Sequence, residues 1–274
     1  MKYCIWGIVL SFVFCQHARA QEVDTMVLSK DQREFLRLPS FSIYKDNYFI
    51  SGTSIFHKPD KYNSDIKYQI SIRQLLYRQP ILGKHFFPYL SYTQKAFWNV
   101  YQHSKPFSEI NFNPTFGLLH PYRNRYGMNY LTVAVEHESN GRDSIFSRSW
   151  NRLSFSCHAY LTQRLQFSLD AWIPFGYKED NPELLHYEGY GQLSVSYILK
   201  EDKWYADLLV RKGNQWNWKG YIQGQVSYKL FPKNNEYLML QWYSGYAESL
   251  IYYQGNVDKV RIGLLLRPNR NVFF

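Results

Sequence analysis

The chain has 274 residues, of which 25 are Tyr, 19 Phe and 8 Trp; 20% of it is charged, with a net charge of +10. So many rings exclude a disordered chain, and no stretch beyond the first twenty residues supplies the roughly 18–20 consecutive apolar residues of a membrane-spanning helix. A soluble globule or a β-barrel remains, and a mean hydropathy of −0.45 with this ring content suits a barrel whose aromatic belts sit at a membrane surface.

Residues 1–20 read as a secretory signal peptide. Lys2 precedes an apolar run over 4–14 that is too short to span a bilayer, and Ala18-Arg19-Ala20 gives a small-residue cleavage site before Gln21. A lipoprotein signal at Cys15 is the alternative, but Phe12-Val13-Phe14 are bulky for it. Cleavage removes Lys2 and Arg19 and no acid, so the net charge falls from +10 to +8. It also leaves Cys157 as the one cysteine, which rules out an internal disulfide. For an exported chain the counter-charge is anionic lipid or lipopolysaccharide rather than nucleic acid.

Residues 21–40 form an N-terminal leader, and 41–274 one domain without repeats or linkers. Helical periodicity is missing, and strict alternation takes its place. Ile66, Tyr68, Ile70 and Ile72 alternate with Lys67, Gln69, Ser71 and Arg73. Leu165, Phe167, Leu169, Ala171 and Ile173 do so with Gln166, Ser168, Asp170 and Trp172, and the same parity holds around Ile222–Leu230 and Val260–Leu266. About twelve such segments follow, near 44–55, 65–74, 87–99, 113–120, 129–139, 147–160, 163–173, 187–199, 203–211, 217–230, 236–243 and 258–267; the first and fourth are weak. Connections are short at 162–163, 200–202 and 231–235 and long at 174–186 and 244–257. Strands of about ten residues with short turns on one side and long loops on the other predict an all-β, twelve-stranded antiparallel transmembrane β-barrel, its odd strands running outward and its chain ending in the aromatic Phe274. A soluble sandwich is the alternative, although its strands would be nearer five or six residues.

In the strand at 90–98 the outward set is Leu90, Tyr92, Gln94, Ala96 and Trp98, which puts an amide among residues that face acyl chains. The chemistry concentrates in Glu136-His137-Glu138-Ser139-Asn140-Gly141-Arg142 and Ser147-Arg148-Ser149-Trp150-Asn151-Arg152. Leu131, Val133 and Val135 carry the outward parity on to His137 and Ser139, while Leu153, Phe155 and Cys157 carry it back to Asn151. Glu136, Glu138, Arg148 and Arg152 then face the lumen, where ion pairing accounts for them. Polar groups on a lipid face are costly unless they bond to one another or serve a function. An imidazole, a hydroxyl and an amide on neighbouring strands suit a base, a nucleophile and an orienter of that base, whereas a polar rim just outside the membrane is the alternative reading.

These two blocks resemble the signature of the bacterial outer-membrane phospholipase A family. Tyr92-Thr93-Gln94, Asp180-Asn181-Pro182, Tyr187-Glu188-Gly189-Tyr190, Tyr243-Ser244-Gly245-Tyr246 and Glu248-Ser249-Leu250-Ile251 also resemble family segments, so the likeness covers most of 85–274. Glu138 and Ile145-Phe146 depart from it locally. The resemblance implies a calcium-dependent phospholipase in the bacterial outer membrane, with Ser139 as nucleophile, His137 as base, Asn151 as orienter and the Gly141 amide at the oxyanion. It also implies Ca²⁺ held by the carbonyl of Arg142, the hydroxyl of Ser147 and the carbonyl of Lys105 from a partner subunit, in a homodimer joined through Gln94. The residues alone show no acidic cage for calcium. A non-enzymatic pore or structural barrel is the reading that the strand pattern by itself would favour.

Overall fold

A computed structural model describes residues 28–201 and 203–268. The expected signal peptide, the first part of the leader and Phe274 lie outside the described residues. Thirteen strands are seen: β1 (Phe41–Ile43), β2 (Asn47–Ser54), β3 (Asp65–Leu75), β4 (Phe87–Trp98), β5 (Phe107–Asn124), β6 (Gly127–Ser139), β7 (Ser149–Tyr160), β8 (Leu165–Phe175), β9 (Gly191–Lys200), β10 (Trp204–Lys212), β11 (Gly220–Lys229), β12 (Glu236–Gly245) and β13 (Val257–Leu266). From β2 onward each strand pairs antiparallel with the next, and β13 returns to β2, so twelve strands close into a barrel without a free edge. The short β1 pairs with the far end of β3. It lies ahead of the expected first strand near 44–55, which is β2, and between the two Tyr44, Lys45 and Asp46 reach the lumen. The broken ladder is satisfied locally, because Ser71 accepts from the amide of Lys45 and donates its own amide to the Asn47 side chain.

The weak fourth strand is β5, and at 18 residues it is the longest. Pro114, Gly117 and Pro121 hid it, since proline cannot donate to a ladder. Its alternation is nevertheless regular: Glu109, Asn111, Asn113 and Thr115 are buried, while Phe116 is exposed.

Parity sorts the faces as the sequence does. Ile70, Leu131, Val135, Phe155, Leu169, Ile173, Ile262 and Leu264 are exposed, and their neighbours Lys67, Ser71, Thr132, Ser154, Gln166 and Arg261 are buried. The lumen is an ion-paired interior. Arg152 bonds Glu136 at 2.6 Å and Glu138 at 3.2 Å, Arg261 joins Asp65 to Glu248, and Arg267 joins Asp46 to Asp207. A cavity of about 340 Å³ lies among these groups. Arg148 differs from expectation: it turns to the carbonyls of Ile145 and Ser147 instead of lying beside Glu136 and Glu138, because it belongs to the loop just before β7, which offers nearer acceptors.

Both mouths are covered. At one end α1 (Lys30–Phe35), opened by a Ser29 capping box, buries Phe35 against Phe87 and Tyr130. At the other end Trp150, Trp172, Leu184, Tyr187, Leu250 and Tyr253 pack across the opening, with Tyr187 on the short helix α2 (Leu185–Glu188).

Candidate active site

The site is on the outside of the barrel, at the end of β6 and the start of β7. The register places His137 directly opposite Asn151 and Ser139 opposite Ser149. His137 Nδ1 lies 2.9 Å from Asn151 Oδ1. An amide oxygen only accepts, so Nδ1 is the donor in this contact. Ser139 follows His137 by two residues on the same face, about 6.8 Å along the strand. The imidazole and the amide meet across the two strands, and the Ser139 hydroxyl lies two residues along the same face, with Phe112 beyond Ser139 and Phe175 beyond Asn151 in the register.

The ladder next to His137 is unusual. The β5–β6 register that pairs Phe112 with Ser139 and Thr115 with Glu136 runs Pro114 opposite His137, where no amide proton can be supplied. The side chain of Asn113 replaces it, donating to the carbonyl of His137 at 2.9 Å. Local composition therefore fixes the backbone that carries the imidazole.

Gly141 opens the loop after β6 with φ +66, and a Cβ there would lie 2.9 Å from the Phe112 ring. The left-handed conformation and the lack of space both call for glycine. Asn140, buried and pointing away from the outer face, clamps that loop. Its Oδ1 accepts from the amides of Arg142 and Arg148, and its Nδ2 donates to the carbonyl of Phe146. Arg142 sends its guanidinium to the carbonyl of Ser108 and to Glu109, which leaves its own carbonyl to the loop.

Ser147 Oγ and Ser149 Oγ both donate to the Asp180 carboxylate, at 3.1 and 2.8 Å, and the amide of Ser149 donates to Asn181. A hydroxyl, a carboxylate and nearby carbonyls make a hard-oxygen neighbourhood of the kind calcium takes. Among the described residues no group of three or more His, Cys, Asp or Glu side chains could hold a metal, so a cation here depends on hydroxyl and carbonyl oxygens. Lys105 is on a different loop, after β4. With φ +44 it closes a tight turn in which Trp98 Nε1 donates to its carbonyl at 2.8 Å. Gln94 is mid-strand on β4, its Oε1 accepting from the Tyr92 hydroxyl at 2.9 Å. The register runs from Gln94 through Phe112 to Ser139, so the amide and the nucleophile share one row two strands apart.

Asn113, Asn140 and Asp180 had no assigned role in the sequence. Asn140, inside the block 136–142, and Asp180, in Asp180-Asn181-Pro182, fell within segments that the sequence singled out, whereas Asn113 carried no signal.

The chain is similar to known proteins in sequence and in fold. The family model described as Phospholipase A1 matches residues 15–266. Phospholipase A1 of Salmonella typhimurium is 35% identical over 239 residues, covering 81% of this chain and 80% of that protein. The Salmonella typhi outer membrane phospholipase, solved as a dimer with bound calcium, is 28% identical with a TM-score of 0.75, over 86% of this chain and 96% of that one. An active-site mutant of Escherichia coli outer membrane phospholipase A, with asparagine replaced by alanine, is 29% identical with a TM-score of 0.73, over 86% and 97%.

Proposed function

The chain belongs to the phospholipase A1 family, and from that premise we propose that this outer-membrane barrel cleaves phospholipid acyl esters with Ser139, His137 and Asn151. The observation that carries the reading is the 2.9 Å contact between His137 and Asn151 on the same outer face as Ser139, which lies two residues further along β6.

Ser139 Oγ attacks the acyl carbonyl as its proton passes to Nε2 of His137, while Asn151 holds the Nδ1 proton and with it the ring's orientation. The amide of Gly141 faces the developing oxyanion. Collapse of the tetrahedral adduct returns the proton to the departing glycerol oxygen, releasing a lysophospholipid and leaving the acyl group on Ser139. Water, deprotonated by the same imidazole, then frees the fatty acid. The nucleophile lies on an open outer face rather than in a closed pocket, which supports cleavage at both glycerol positions and of lysophospholipids.

Calcium is the cofactor in this reading, held by the carbonyl of Arg142, the hydroxyl of Ser147 and, across a homodimer, the carbonyl of Lys105 in the second copy. Bound by these oxygens, it would supply positive charge that stabilises the negative charge developing in the reaction. The lysine leaves its carbonyl available as a ligand, since an oxygen with two lone pairs accepts both Trp98 and a cation. Self-association through Gln94 completes the site. Lipopolysaccharide is a further partner of the cationic chain, by charge alone.

The test is fatty-acid release by purified protein in mixed phospholipid micelles, with calcium or with a chelator. Release that needs both calcium and Ser139 supports the reading; release by a folded Ser139→Ala variant refutes it.

A further inference from the structure

We propose that Gly176 is a positioning residue for the reaction: the side chain it lacks leaves the space occupied by the Asn151 amide. The proposal rests on the triad reading above and adds a residue to it.

β8 pairs with β7 as far as Phe175, which stands opposite Asn151. The next residue, Gly176, has φ +62 and turns the chain away into the loop that carries Asp180. A Cβ at Gly176 would lie 2.8 Å from Asn151 Nδ2 and 4.0 Å from its Cγ, and no other atom outside its chain neighbours comes within 4 Å. At 2.8 Å something has to move. The struck atom is the end of a side chain and not backbone, so it is Asn151 that gives way. That amide is held from both sides, with Oδ1 on His137 of β6 and Nδ2 against Gly176 at the end of β8. An amide is rigid and planar, and pushing one end of it swings the other. The 2.9 Å contact with the imidazole then opens, and the ring loses its fixed tautomer and tilt. Gly176 thus acts on the reaction through Asn151 and touches neither substrate nor nucleophile.

The competing explanation is that the position needs glycine only for its left-handed backbone. Asparagine tolerates that conformation far better than alanine but carries the same Cβ, so the two substitutions separate the explanations. Gly176→Ala, Gly176→Asn, Asn151→Ala and the two double variants would be purified as full-length folded barrels and assayed for fatty-acid release across pH. Both single changes at Gly176 are expected to lower kcat by about the factor that Asn151→Ala does, roughly tenfold or more, with KM unchanged. Both should distort the pH profile as Asn151→Ala does, and neither should cost anything further once Asn151 is alanine. Should alanine fail to fold at this position, the asparagine variant and its double mutant carry the test. Full activity in Gly176→Asn, or an undiminished loss in the Asn151→Ala background, overturns the proposal. A fully active Asn151→Ala would instead overturn the triad reading, so the two failures are distinguishable.

Discussion

His137 and Asn151 face each other across neighbouring strands on the outer wall of the barrel, Nδ1 to Oδ1 at 2.9 Å. In the proposed triad the orienting group is neutral, and the surroundings explain why. A charged side chain on the lipid side costs up to roughly 2–4 kcal/mol for Lys or Arg at the bilayer midplane, less for a carboxylate and less again towards the interface, whereas an amide holds the imidazole without adding a charge.

The three members are therefore expected to differ in weight. Ser139→Ala should abolish hydrolysis with the barrel still folded. His137→Ala should lose the about 10²–10⁴-fold that base catalysis contributes, and Asn151→Ala should lose less because the amide only positions the base. Initial rates in micelles, with folding checked by heat-modified gel mobility, measure the order; an Asn151 variant weaker than the His137 variant would contradict it.

Most of this arrangement is legible in the sequence because a β-strand has a period of two. Leu131, Val133 and Val135 fix the direction of His137 and Ser139 once the strand is recognised, and the polar residues between them fix the lumen. Loop contacts cannot be read that way. Asp180 meets Ser147 and Ser149 across about thirty residues, and Gly176 meets Asn151 across twenty-five, which no local periodicity encodes. The short β1 ahead of β2 and the full length of β5 were hidden for a related reason: side chains of Ser71, Asn47 and Asn113 replace ladder bonds that the backbone cannot make.

Asn140 should matter more for activity than its distance from the chemistry suggests. Replacing it with alanine removes partners from two amides and a carbonyl in the loop that carries Gly141, Arg142 and Ser147. At about 0.5–1.5 kcal/mol per lost hydrogen bond, the local loop order falls while the barrel stays closed. Asn140→Ala is expected to need more calcium for half-maximal activity with little change in unfolding temperature, which a calcium titration and a melting curve in detergent would resolve.

Acid stability should depend on Glu248, a loop residue that enters the lumen and bonds Lys67 at 3.0 Å and Arg261 at 2.6 Å. Burial alone would push its carboxyl up, but the facing Arg261 and Lys67 hold it below the usual carboxylate range. A depressed folded value means that the stabilisation is complete above the unfolded value, about 4.3, and is lost as pH falls through the lower folded one. Glu248→Gln should lower stability at neutral pH by about 3 kcal/mol, the scale for breaking a buried pair. The gap to the parent should close as the solution is acidified below about pH 4. Urea unfolding in detergent between pH 3 and 7 checks this, and a gap independent of pH would exclude it.

Activity should follow association. Leu90 is exposed on the same outer face as Gln94 and Trp98, and the row from Gln94 reaches Ser139 within about 10 Å. The Tyr92 hydroxyl already occupies Gln94 Oε1, which leaves the amide hydrogens to donate across a pair of barrels where lipid offers no acceptor. Such contacts are worth roughly 1–2 kcal/mol in a membrane, so Gln94→Ala should weaken dimerisation by about 5- to 30-fold. A cation bound by oxygens from two copies stabilises the dimer by the same free energy that dimerisation adds to cation binding. Calcium and a sulfonylating inhibitor of Ser139 should therefore each shift the protein from monomer to dimer, and a chelator should reverse the calcium effect. Sedimentation in detergent measures the shift, and a fully active species that sediments as a monomer in calcium would rule the coupling out.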